Sequence, residues 1–201
     1  MLAALARDSM RWPFAGLTYI DQFASTEAHA VTAWCHEKGA RIIGIDAPCR
    51  WSTDDRARPA ERELMKKKIW CFSSPTKNTA RAHPKDNFRW MINGEQLFDQ
   101  LSPTHVLLND PEQPPHVPFC FETFPQAIAC ALAADIVSAK TKRSTRRDLL
   151  ARAGIDITEL TNIDKIDAAL CALAAQRLSI GDYQTYGERL TGIIVVPRAP
   201  L

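Results

Sequence analysis

Three acidic residues lie in settings where a carboxylate is unfavourable unless it meets a partner. Asp46 and Glu122 each follow a short apolar run, and a proline comes two or three residues later. Asp167 is flanked by apolar residues in the alanine-rich segment 163–178, where an unpaired charge is costly. Clustered oxygen ligands without histidine or cysteine suit a hard cation such as Mg²⁺ or Mn²⁺. Because carboxylates around such ions are typical of phosphodiester hydrolysis, the three acids predict a metal-dependent nuclease or related phosphodiesterase.

One segment of the chain concentrates positive charge. Residues 140–147 hold five cations and no acid, and cations near the start of a helix oppose its dipole. We therefore expect these side chains to bind nucleic acid, with a solvated charged face as the alternative: Lys140, Lys142, Arg143, Arg146 and Arg147. The lysines at 66–68 are interpreted instead as the solvated end of a helix that begins near Pro59.

The acids need a sheet to position them. The β-branched run at 42–45 and the apolar run at 119–122 each predict a buried strand that a proline ends. Residues 17–20 predict an earlier strand, and the helix between 25 and 39 makes a βαβ unit, so strands 17–20 and 42–45 should be parallel. Ligands of open α/β sheets bind at the carboxyl ends of the strands, where Asp46 and Glu122 would lie.

Composition narrows the class of protein. With 201 residues, 46% hydrophobic and 24% charged, the chain predicts one ordinary globular domain over residues 1–201. Its six cysteines form no CxxC pair, which favours a reducing cytoplasm. No apolar run is long enough to cross a membrane, so we expect no membrane partner. Nucleotide-binding, zinc-protease and serine-hydrolase motifs are absent from the sequence.

Five motifs in order resemble the domain-of-unknown-function family 429 over roughly residues 17–197: GIDAP at 44–48, RPAE at 58–61, FETFP at 121–125, DKIDAA at 164–169 and GIIVVP at 192–197. That family is similar to the ribonuclease H-like superfamily and is regarded as a group of predicted nucleases. The resemblance implies an α/β fold, a mixed β-sheet flanked by helices. It also implies Asp46, Glu122 and Asp167 as catalytic metal ligands, with Asp164 as a further candidate.

The start of the chain departs from that family, which usually opens with a strand bearing an early Asp. Here residues 1–16 form an atypical N-terminal segment without a counterpart of that Asp. A sheet lacking its first strands would leave an edge unpaired. We therefore expect residues 1–16 to cover that edge, or two chains to pair across it as a homodimer. The alternative function is a non-catalytic nucleic-acid-binding or protein-interaction module with an incomplete active site.

Overall fold

The computed structural model describes residues 2–6, 20–25 and 27–199. Its strands are β1 Leu2–Ala6, β2 Ile20–Ala24, β3 Ile42–Ile45, β4 Val106–Leu107, β5 Phe119–Glu122, β6 Tyr183–Glu188 and β7 Gly192–Pro197. The helices are α1 Ala28–Glu37, α2 Pro59–Lys66, α3 Lys77–Ala82, α4 Arg89–Leu101, α5 Pro125–Ala133, α6 Lys142–Arg152 and α7 Ile163–Ser179, with a 3₁₀ turn at Ala139–Thr141. None of the helices in the described ranges is long and apolar enough to cross a membrane.

The main sheet is mixed, with strand order β3-β5-β7-β6. Strands β3, β5 and β7 are parallel, β6 is antiparallel to β7, and the short β4 pairs in parallel with the start of β5. Helices flank this sheet of five strands, which confirms the predicted fold class and is consistent with a ribonuclease H-like arrangement.

Helices pack on both faces of the sheet, so side chains along β3 alternate between two apolar layers. Ile43 and Ile45 belong to a layer formed with α1 and α4. Ile166, Leu170 and Leu173 of α7 lie in the larger layer, which also contains Phe121. A strand covered on both faces is apolar at consecutive positions, which explains the continuous apolar runs in the sequence.

The first two strands form a separate sheet. β1 and β2 are antiparallel, with Leu2 opposite Ala24. The expectation that the strand near residue 20 lies parallel to β3 is therefore wrong for Ile20, and residues 17–19 lie outside the described residues. β1 contacts α7 and α1 rather than the main sheet. In the described ranges no strand pairs with the outer edge of β3, so pairing of two chains there stays a prediction.

Candidate functional site

A direct contact between β3 and α7 brings Asp46 and Asp167 together. At Gly44 the strand approaches the helix so closely that a Cβ atom would lie 2.8 Å from the carbonyl oxygen of Cys171. Asp46 follows Gly44 by two residues and continues the same face of the strand. Asp167 precedes Cys171 by four residues, so it lies one turn away on the same face of α7. The two carboxylates therefore face each other beyond the end of the strand.

A second close contact holds the turn after Asp46 from the side of α4. A Cβ atom on Gly94 would lie 2.2 Å from the Cβ of Ala47. Glycine in a helix interior costs about 1 kcal/mol relative to alanine, and here this close approach explains its presence. The turn at Asp46 is thus held between α7 and α4. The approach of α7 is possible because residue 44 is a glycine, and the approach of α4 is possible because residue 94 is a glycine.

Within the described part of the chain, Asp46 is the acid of this site that lacks a direct partner. The side chain is exposed to water, and no residue in the described ranges gives its carboxylate a hydrogen bond or an ion pair. Protein nevertheless surrounds it, and loss of hydration is the main cause that raises its pKa to about 7. Asp167 and, more weakly, Glu122 raise this pKa further, while Arg146 and Lys142 lower it.

Asp167 is paired with a buried arginine. Arg146 of α6 donates from Nη1 to Oδ1 of Asp167 and from Nη2 to Oε1 of Gln126 at 2.8 Å. The Arg146 side chain is only 6% exposed, and no described residue accepts a hydrogen bond from its Nε. Burial nonetheless raises the pKa of Asp167 above its ordinary value, against the lowering effect of Arg146. The neighbouring Asp164 is exposed at the start of α7 and raises that pKa further.

Glu122 belongs to a different and closed network. Its two carboxylate oxygens accept from Nη1 and Nη2 of Arg58 at 2.9 and 2.5 Å, and Oε2 also accepts from the amide of Cys49. Arg58 donates from Nε to Glu61 at 2.8 Å, and Glu61 accepts from both the amide and the hydroxyl of Ser74. All these side chains except that of the half-buried Cys49 are buried. Each of the three guanidinium nitrogens of Arg58 donates a hydrogen bond to a carboxylate oxygen.

Glu122 and Asp46 differ in their surroundings. Glu122 lies between Ile45 of β3 and Ile194 of β7 and is engaged by Arg58. The pKa of Asp46 is affected more strongly by Asp167 than by Glu122. Among the described residues, the three predicted acids do not form one group placed to hold a metal ion.

The basic segment divides into inward and outward cations. Arg146 is buried, as described above. Arg143 and Arg147 donate to the backbone carbonyls of Thr161 and Leu160, which ties α6 to the turn before α7. Lys140 and Lys142 are exposed. Because Lys142 lowers the pKa values of both Asp46 and Asp167, the start of α6 lies on the same side of the fold as the acid pair.

A divalent cation fits part of this donor set. Among the described residues, no group of three or more histidines, cysteines and acids is placed to hold a metal ion. Glu122 is excluded because Arg58 engages both of its oxygens. Asp46 and Asp167 remain, a carboxylate pair with raised pKa values. Since Mg²⁺ is commonly held by one or two carboxylates together with substrate phosphates, the donors match a two-carboxylate site rather than a three-acid one.

Sequence reasoning missed the arginines as partners of the acids. The spacing of Arg58 and Glu61 does resemble the reciprocal pattern at a helix start. In the structure the Glu61 carboxylate does accept from the Arg58 amide at 2.9 Å. The pairs Arg58–Glu122 and Arg146–Asp167 join residues far apart in sequence, and no local signal announces them.

Comparison with known proteins finds no match among curated proteins and none among solved structures. A family profile does match, over residues 4–191, nearly the whole chain. Its description is a protein of unknown function, DUF429. The match covers all the residues of the candidate site, from Asp46 to Asp167. The chain therefore belongs to the DUF429 family.

Proposed function

We propose that this protein hydrolyses phosphodiester bonds of nucleic acid at the pair formed by Asp46 and Asp167. The observation that carries the proposal is Asp46 itself: an exposed carboxylate without a hydrogen-bond or ion-pair partner among the described residues, whose pKa is raised to about 7. A bound divalent cation would relieve the repulsion between this carboxylate and that of Asp167, so the pair is suited to hold one. Perturbed acids that remain open to solvent are typical of active sites.

The neighbouring side chains have distinct supporting roles. Arg146 orients Asp167 by its charged hydrogen bond and adds positive charge beside the reacting phosphate. Lys142 is exposed near both acids and can bind a phosphate oxygen. Asp46 and Asp167 would hold Mg²⁺ or Mn²⁺, which when bound activates water and stabilises the leaving oxygen.

The test is cleavage of end-labelled DNA and RNA oligonucleotides, single-stranded and duplex, with Mg²⁺, Mn²⁺ or a chelator. Asp46→Asn should reduce the rate about 100-fold or more, because it removes one of the two charged metal ligands and even the loss of a group that supports such a ligand costs up to about 100-fold. Asp99→Asn is the matched control, because Asp99 is an exposed acid on α4 outside the site. Equal rates for the two variants, or no cleavage of any substrate by the wild type, would remove the proposal.

One observation favours a second function, a non-catalytic nucleic-acid-binding module. Arg58 engages both oxygens of Glu122, which supports an active centre that lacks Glu122 as a metal ligand. In that case the protein should bind oligonucleotides with an affinity that falls steeply with salt, and no divalent ion should induce cleavage. Binding without cleavage supports the module, and cleavage that depends on Asp46 excludes it.

A further inference from the structure

Three exposed aromatic side chains form a surface outside the candidate active site. Trp70 is 73% exposed, Phe72 is 75% exposed and Trp90 is 39% exposed. The rings of Phe72 and Trp90 are in contact, with centroids 6.1 Å apart and planes tilted by 58°. Single exposed apolar residues need no explanation, but a cluster of large ones marks an interaction site. We call Trp70, Phe72 and Trp90 the aromatic platform.

The backbone holds two of these rings outward. After α2, residues 69–74 form neither helix nor strand. Ile69 is 6% exposed and Ser74 is fully buried, so both anchor the segment to the protein. Trp70 and Phe72 lie between these two anchors, and both side chains are exposed. The exposure of the rings follows from well-packed neighbours rather than from a loose loop.

The surroundings of the aromatic platform are strongly basic. Between residues 66 and 90 the chain has seven cations and a single acid, Asp86. Some cations are occupied: Lys67 lies over the ring of Tyr186, while Lys77 and Arg81 pair with Glu95. No carboxylate in the described part of the chain pairs with three exposed cations: Lys66, Lys68 and Lys85. Unpaired cations favour an anionic partner, and exposed aromatic faces favour a partner with planar rings that can stack on them. Together they indicate a partner that has both properties.

We propose that the aromatic platform stacks the unpaired bases of a single-stranded nucleic acid, whose phosphates lie along the neighbouring lysines. Proteins that bind single strands combine cations along the backbone with aromatic rings on which the bases stack. A duplex offers the same phosphates, but its base faces are already stacked on one another. The inference rests on the proposed function only in taking nucleic acid as the substrate.

The aromatic platform is connected to the candidate active site. The segment that carries Trp70 and Phe72 ends at Ser74, which bonds Glu61 of the buried arginine network. The next residue, Pro75, accepts from the amide of Ser52 at 3.1 Å, in the loop that follows Asp46. The segment that carries Trp70 and Phe72 is therefore hydrogen-bonded to the loop that follows Asp46.

The test measures binding of fluorescently labelled oligothymidine by anisotropy, with a chelator present so that cleavage does not interfere. Matched duplex and matched abasic oligonucleotides carry the same phosphates without available base faces. We expect at least about 10-fold weaker binding of both, and about a 10-fold loss of oligothymidine affinity for Trp70→Ala or Phe72→Ala, as each stacked base contributes appreciably. Leu190→Ala is the control, since Leu190 is 86% exposed on the β6–β7 turn.

Each result decides between possibilities. Equal affinity for abasic and normal strands, or wild-type affinity of Trp70→Ala, overturns the stacking role. Self-association that Trp70→Ala and Phe72→Ala abolish, without oligonucleotide binding, makes the surface an interface between copies and also overturns it. Because Trp70 and Phe72 are exposed, their variants should keep the wild-type melting temperature. Tight oligothymidine binding, together with no cleavage of the same strand when Mg²⁺ or Mn²⁺ replaces the chelator, refutes the proposed hydrolysis and leaves the stacking role of the aromatic platform standing.

Discussion

Two regions of this molecule each combine two acids with one buried arginine, yet they differ in how the acids are satisfied. Around Arg58, the carboxylates of Glu61 and Glu122 accept hydrogen bonds from the arginine, from Ser74 and from backbone amides, and their side chains are at most 4% exposed. Around Arg146, and among the described residues, Asp167 has one such bond and Asp46 has none.

The difference separates a structural cluster from a chemical one. Burying three charges is tolerable only when nearly every lone pair and N–H finds a partner, and the Arg58 cluster meets that condition. The Asp46 pair leaves a carboxylate open to solvent with its pKa raised to about 7. Both regions contain two acids and one arginine. The Arg58 cluster is a closed cross-link, whereas the pair of Asp46 and Asp167 beside Arg146 is a site that can accept a proton.

Removing Arg58 should have the largest effect on stability. Arg58→Ala leaves two buried carboxylates without their cation and should lower the free energy of unfolding by about 3–5 kcal/mol. Urea denaturation measures this change. Arg89→Ala is the control, because its pair with Asp86 is exposed and should contribute less than about 1 kcal/mol. A loss for Arg58→Ala no larger than that of the control would mean that the cluster is not a cross-link.

Asp46 should make stability depend on pH in the opposite sense to an ordinary paired acid. Its folded pKa is raised to about 7 while its unfolded value is about 3.9, so the folded state binds the extra proton. The stabilisation is fully present below the unfolded pKa and is lost as pH rises through about 7. With a chelator present, Asp46→Asn should therefore raise the melting temperature more at pH 8 than at pH 4.

The smallest expected effect is on the pKa of Asp46 itself. Asp167→Asn removes the nearest negative charge, so the pKa of Asp46 should fall towards its ordinary value, as followed by carboxyl NMR titration. Asp164→Asn is the control, since Asp164 raises the pKa of Asp167 and is not among the groups that shift Asp46. An unchanged titration of Asp46 in Asp167→Asn would show that the two acids do not form a pair.

The sequence made the strand-end position of Asp46 predictable because an isoleucine-rich run before a proline leaves little choice of structure. The strand at Tyr183–Glu188 escaped prediction because its polar residues gain strand structure only by pairing with β7. Thr145 followed three residues later by Asp148 resembles a capping pattern, yet α6 begins at Lys142, because tertiary contacts of the early arginines outweigh that local pattern.

The arginine partners could not be predicted for a related reason. Which acid faces which arginine depends on two features of the fold. One is the alternation of side chains between the two faces of β3 and β5, and the other is how α6 and α7 pack against the sheet. A basic segment looks the same in sequence whether its residues point outward, as Lys142 does, or inward, as Arg146 does. Pattern reasoning therefore identified the acids and left their electrostatic environment undetermined.

The contact at Gly44 has a consequence for how the site can respond to its surroundings. Because α7 rests directly on β3 there, the distance between Asp46 and Asp167 is set by how far the helix sits from the strand. Any force that lifts α7 would weaken the repulsion between the carboxylates and rehydrate Asp46, so a proton would be released. By linkage, acidification should favour the seated helix. The position of α7 and the protonation state of Asp46 are thus coupled, so that a change in either one shifts the other.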